Sequence, residues 1–247
     1  MLLSQIKTQA GKRSVVVREG TEAYTLSGVS TTYQLVIKCI QNSLTLAEQI
    51  NRLEFEQAVD LQHLYTEHKL VAPIEAPSAI QQHVTGEQDM PTMPKIAAIS
   101  VVAQDGNLLT IGYCMAYILS DARNLNHSFL PTLEFEDNVI ALGPEILTGG
   151  LPQVMDGILS QVRNGKVIFN DNLGLNDVFS AFPALDSKYQ TSLAGDVFIQ
   201  LFSPFKLFEM PHIRLQEGDF FELEIAQFGL PMENLWQILR QQKPSVA

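Results

Sequence analysis

The stretch GDFFELEIAQFGLPMEN, residues 218–234, sets Phe221, Leu223 and Ile225 in alternation with Glu222 and Glu224. Glu217, Gly218 and Asp219 form a tight turn before it, and Gly229 closes it, so the period of two between turn residues predicts a half-buried β-strand. The same grammar recurs upstream. KIAAISVVAQDG (95–106), NLLTIGYCMAYILS (107–120), NGKVIFND (164–171) and GDVFIQLFS (195–203) are apolar runs separated by turns at DG, NG, AGD and EGD. From Lys95 onward the chain is therefore expected to be strand after strand. Two stretches depart from this: LPQVMDGILSQV (151–162) and NDVFSAFPALDSKY (176–189) carry apolar residues at helical spacing.

Toward the N-terminus the grammar changes twice. LSQIKT and SVVVREG, separated by AGK and followed by the glycine of REGTEAYTLSG, predict a small antiparallel set of strands. Three-to-four spacing then predicts two or three short helices over residues 31–69. Thr45 and Glu48 form a capping box there, in which each side chain satisfies a free backbone N–H of the helix start. Pro73, Pro77, Pro91 and Pro94 interrupt the next segment, which cannot stay regular for long. The expected organisation is an N-terminal strand-helix domain over 1–75, a proline-rich connector over 76–94 and a β-rich domain over 95–247.

Composition narrows the function. An apolar fraction of 46% with 17% charged residues is that of a packed globule. The net charge of −11, from 16 Lys+Arg against 27 Asp+Glu, repels phosphate backbones and anionic lipid, and no dense basic run opposes it, so neither nucleic acid nor membrane is an expected partner. Cys39 and Cys114 lie in apolar surroundings without partners at metal or redox spacing, which fits a reducing cytoplasm. The first residues have their apolar positions ahead of their basic ones, the wrong order for a signal peptide. Phosphate-loop, dinucleotide and serine-elbow motifs are absent.

Taken in order, STTYQL (30–35), AVDL (58–61), APIEAP (72–77), IGYCMAYILSDARN (111–124), ALGPEILTGGLP (141–152), the NGKVIF hairpin, GDVFIQLF and GDFFELEIAQFG resemble the fumarylacetoacetate hydrolase superfamily. They are most similar to its branch associated with arabinose catabolism, along nearly the whole chain. The resemblance implies an α+β fold whose β-rich core is a bent mixed sheet closing into a roll. It also implies a homodimer and a divalent cation that polarises keto or enolate oxygens of a small substrate.

At the positions that would hold the cation this chain departs from the family. The E-x-E slot falls on Met93, Pro94 and Lys95, and the third carboxylate slot on Ile118. Met and Ile carry no charge and Lys carries the wrong one, so no metal and no other cofactor is expected. The family's glycine-threonine that helps hold a substrate carboxylate corresponds to Ser203 and Pro204, and the segment between Gly86 and Met93, where the family carries its lid, is short.

The candidate pocket groups that remain are Lys95, Asp121 and His127 as catalytic residues, with Tyr117, Ser120, Arg123 and Ser203 as substrate-binding ones. Lys95 or Arg123 would supply positive charge to an anionic small molecule in place of the metal, and Lys95 could also act as a base or an imine-forming nucleophile. The plainer alternative has Ser120 and Asp121 capping a turn, Arg123 solvated and Lys95 reaching for water. His63, His68, His83 and His212 lie away from the inferred pocket, and Cys114, alternating with core residues, is expected to be an inert buried thiol. Two functions follow. One is a repurposed, metal-independent enzyme acting on a small keto, enol or acyl substrate by lyase, hydrolase or isomerase chemistry. The other is a pseudoenzyme that binds a metabolite or a partner protein.

Overall fold

The computed structural model describes residues 1–8, 10–75, 81–85, 94–119, 132–134, 139–176, 193–202 and 219–235. The chain opens with strands β1 (Leu2–Lys7), β2 (Arg13–Glu19) and β3 (Glu22–Leu26), paired antiparallel in sequence order. Helices α1 (Thr32–Asn42) and α2 (Leu46–Ile50) follow, then β4 (Phe55–Ala58), α3 (Leu61–Thr66) and β5 (Leu70–Val71). Thr31, Thr45 and Asp60 cap the three helices by accepting from Gln34, Glu48 and His63 backbone N–H, and the expected capping box at Thr45 is complete. Helix α1 buries Thr32, Leu35, Val36 and Cys39, the stripe its spacing predicts. Gln5 pins this region from inside. Its buried amide accepts from Thr32 N–H at 2.8 Å and donates to the Ala72 carbonyl.

Beyond a single 3-10 turn at Ala226–Phe228, the remaining elements among the described residues are strands: β6 (Gln81–Thr85), β7 (Lys95–Val102), β8 (Leu108–Leu119), β9 (Thr132–Glu134), β10 (Val139–Leu142), β11 (Ile146–Thr148), β12 (Val154–Arg163), β13 (Lys166–Asn176), β14 (Val197–Phe202), β15 (Phe220–Ile225) and β16 (Met232–Leu235). Twelve strands form one sheet in the order β4-β3-β2-β1-β11-β8-β7-β14-β6, with β5, β9 and β10 attached beside it, and β13-β12-β15-β16 form a second. The N-terminal hairpins thus continue the sheet of the core, through the pairing of Leu3 with Ile146. Among the described residues the large sheet is open, with no pairing that closes it into a roll. No described helix is long and apolar enough to cross a membrane.

β7 and β14 are buried at every position, because both faces of the large sheet are covered. One face carries Ala97, Ile99, Ala116 and Ile118, packed in a cluster with Leu3, Val15, Leu35 and Val36. The other carries Ile96, Met115, Tyr117 and Ala141, packed against Leu159, Phe221, Leu223 and Ile225 of the small sheet. Asp219 holds the start of β15 in place: it accepts from Arg163 Nε at 2.6 Å, Arg163 Nη2 at 2.7 Å and Gln161 Nε2 at 2.8 Å.

LPQVMDGILSQV is not helical. Residues 154–163 form β12, paired with β13 on one side and β15 on the other. The apolar positions at 154, 155, 158, 159 and 162 follow helical spacing, but two-sided ladder pairing makes a strand that turns Met155 and Leu159 inward and leaves Val154 and Ile158 exposed. Gly157 is part of that decision, since a Cβ there would press against Ile225 and the Glu224 carbonyl of the neighbouring strand. The second stretch expected to be helical, 176–189, lies outside the described residues after Asn176, which ends β13.

Candidate functional site

Lys95 of β7, Phe202 of β14, Leu119 of β8 and Val139 of β10 lie at one end of the ladder that these four strands share. β7 begins at Lys95, opposite Ala116 of β8; β14 ends at Phe202, opposite Ile96; β8 ends at Leu119, opposite Val139, where β10 begins. Lys95 and Ile118 meet here. By strand alternation they share the face of Ala97 and Ala116, on diagonal positions of adjacent strands within reach of a long side chain. Lys95 is only 1% exposed and Ile118 8%. A fully buried lysine is rare, and its sheet neighbours Ala97, Ala116 and Ile118 are all apolar.

Tyr117 lies on the opposite face, so the structure does not bring it together with Lys95. Its ring is fully buried and its hydroxyl has no hydrogen-bond partner among the described residues. Burial pushes the phenol's pKa well up. Ser120, Asp121, Arg123, His127 and Ser203, with Met93 of the family's carboxylate slot, lie outside the described residues. Cys114 sits in the same apolar core as Ile118, and burial lifts its thiol pKa to about 12, so little nucleophilic thiolate forms near neutrality.

The described residues at this sheet end do not by themselves make a site for a hard divalent cation. Ile118 offers no donor atom, Lys95 is a competing cation, and among the described residues no group of three or more His, Cys, Asp or Glu is placed to hold a metal.

Two charged arrangements escaped the sequence reading. Glu145, fully buried where ALGPEIL enters β11, accepts from Arg18 Nη2 at 2.6 Å and from the Leu230 backbone N–H at 2.7 Å. Burial raises its pKa, while Leu230 N–H and Arg18 pull it back. This contact locks β2 to β11 and to the loop after β15, across 127 residues of chain that no local motif connects. The second is on β15 and β16, where Glu222 stands directly opposite Glu233. Burial first, and then the charges of Glu233 and Glu222, push the phenol of Tyr65 in α3 well up. The pKa of Glu222 is raised, first by burial and then by the charges of Glu233 and Glu224. A raised carboxylate pKa means the folded state holds the proton more tightly than the unfolded one, so this group costs stability as pH rises from the ordinary glutamate range through its folded value. Glu222→Gln is therefore expected to stabilise the fold at pH 7 by roughly 0.5 kcal/mol. In denaturant melts the gain should fade as the pH is lowered to about 4, near the ordinary glutamate pKa; an equal or larger gain at acid pH would show that the Glu222–Glu233 repulsion is not its source.

No model of a known protein family matches the chain, and no curated protein matches it in sequence. Solved structures do. The chain is similar to 2-keto-3-deoxy-D-arabinonate dehydratase, both complexed with magnesium and 2,5-dioxopentanoate and in its apo form, each with a TM-score of 0.56 at 14% identity over 95% of this chain and 98% of that one. It is also similar to fumarylacetoacetate hydrolase from psychrophilic Exiguobacterium antarcticum, with a TM-score of 0.50 at 14% identity and the same coverage. At this identity the likeness is one of fold.

Proposed function

Because the chain has the fold of the fumarylacetoacetate hydrolase superfamily, we propose that it is an enzyme of that fold acting on a small keto, enol or acyl substrate by lyase, hydrolase or isomerase chemistry, without a metal at the family position. The observation that carries this reading is Lys95, a buried cationic side chain beside Ile118 at the sheet end. A buried ammonium can hold a carboxylate or a developing enolate oxygen where screening by water is weak, which is the electrostatic part of what a metal would otherwise do. Neighbours of this fold include a dehydratase and a hydrolase, which supports an enzyme. Asp121, Arg123 and His127 stay in the proposal from the sequence, as the groups after the strand end that would complete the pocket.

The test is turnover of a panel of 2-oxo acids, enols and acyl compounds by protein purified and assayed in EDTA. Turnover is expected to be equal with and without the chelator. Activity that appears only on adding Mg²⁺ or Mn²⁺ would contradict metal independence. Binding without turnover of any panel member would favour the second reading, a pseudoenzyme that binds a metabolite, for which the well-packed Ile118 speaks.

A further inference from the structure

We propose that Asn164 is a site of spontaneous covalent modification, where the side-chain amide closes on the backbone nitrogen of Gly165 and reopens with water to aspartate and isoaspartate. The inference is independent of the proposed function. In the first step the Gly165 nitrogen bonds to Cγ of Asn164 and gives up its proton to the departing amide, which leaves as ammonia. Water then adds to either carbonyl of the succinimide ring that remains. Opening at one carbonyl yields aspartate; opening at the other yields isoaspartate, whose main chain is one methylene longer. Asparagine is among the thermolabile residues of proteins, and a following glycine has no Cβ to hinder the approach.

Ring closure needs a small following residue, a free side chain and a free backbone nitrogen. Asn42–Ser43, Asp105–Gly106, Asp156–Gly157 and Asn164–Gly165 meet the first condition, each with its Asn or Asp exposed. The first three fail the others. Asn42 donates to Gln49 Oε1 at 3.0 Å, and Ser43 N–H to the Ile40 carbonyl at 3.3 Å. Asp105 accepts from Asn107 N–H at 3.0 Å, while Gly106 N–H donates to the Ala103 carbonyl at 3.0 Å. Gly157 sits in an inner strand of the small sheet, paired with Leu173 on one side and Ile225 on the other. At the fourth pair, among the described residues, the Asn164 amide has no hydrogen-bond partner and the Gly165 nitrogen donates to no group. Both residues stand at the tip of the β12–β13 hairpin, between Arg163 and its pair Lys166, with φ of 50° and 72° as a two-residue type I′ turn requires. A Cβ on Gly165 would meet nothing within 4 Å, so the ring has room to form and water can reach it. Isoaspartate would lengthen this tight turn directly beside Arg163, the residue that holds Asp219.

The experiment incubates the folded protein at mildly alkaline pH beside a synthetic peptide of residues 160–169, and follows both by peptide mapping with mass spectrometry that separates isoaspartate from aspartate. Asn164 is expected to convert in the folded protein within tenfold of its rate in the peptide, and ahead of Asn42. Conversion more than tenfold slower than in the peptide, or faster conversion at Asn42, would mean that the turn protects the amide and would overturn the inference. Melting then tests the consequence for the hairpin. Aged protein enriched in isoaspartate is expected to melt below Asn164→Asp, which carries the other product on an unaltered main chain; equal melting would overturn the claim that the lengthened turn disturbs the hairpin.

Discussion

Ile118→Asp is expected to lower the free energy of unfolding by about 3 kcal/mol, because it places a carboxylate in an apolar cluster with Ala97, Ala116 and Ile140. Lys95 lies on a neighbouring position of the same face, so the new charge has a candidate partner. Even so, the pair recovers only part of what desolvating the carboxylate costs, and the isoleucine's own packing is lost as well. For a chain of this size the loss corresponds to a drop of very roughly 10 °C in melting temperature. Mg²⁺ should not rescue the variant, since one carboxylate next to a cation does not make a binding site for a hard dication. Unchanged melting would place residue 118 in water and the strand end in a different register; rescue by Mg²⁺ would mean that a latent metal site survives.

Gly229→Ala should cost at least as much, about 4 kcal/mol, by breaking the buried Glu145–Arg18 contact. Gly229 has φ 81° and ψ −118°, a region that residues with a Cβ rarely enter. An added Cβ would moreover collide with both the Arg18 guanidinium and the Glu145 carboxylate. Neither group can move away cheaply. Glu145 is fully buried and also accepts from Leu230 N–H, so displacing it strands a charge and a backbone donor together. Chemical denaturation should report the loss. A destabilisation under about 1 kcal/mol, well below the range for breaking a buried pair, would mean that the ion pair contributes little to joining β2, β11 and the loop after β15.

Much of the architecture was legible because it is written in local period. The alternation of Phe221, Leu223 and Ile225 became β15, the apolar runs at Lys95 and Val197 became strands buried on both faces, and Thr45 with Glu48 caps α2 as expected. β12 departs from its helical spacing because pairing with a strand on each side, which no local pattern announces, outweighs the exposure of Val154 and Ile158. The candidate site was legible in part. The resemblance to the family drew attention to Lys95, Tyr117 and Ile118, yet their division between two faces depends on strand register, which links β7 to β8 residue by residue. Glu145 and Arg18 gave no signal, because a pair so distant along the chain is made by topology alone.

The account turns on Lys95 standing in for a metal, and the most direct test is the affinity of an anionic ligand, pyruvate, for wild type and Lys95→Met measured by calorimetry in EDTA. Methionine keeps an apolar stem of similar length beside Ala97 and Ala116, and equal thermal melting of the two proteins is the control that makes the comparison one of charge. The account predicts that wild type binds pyruvate without metal and that Lys95→Met binds it at least tenfold more weakly, about 1.4 kcal/mol. Equal affinity in the two proteins, or wild-type binding that appears only when Mg²⁺ is restored, would contradict it.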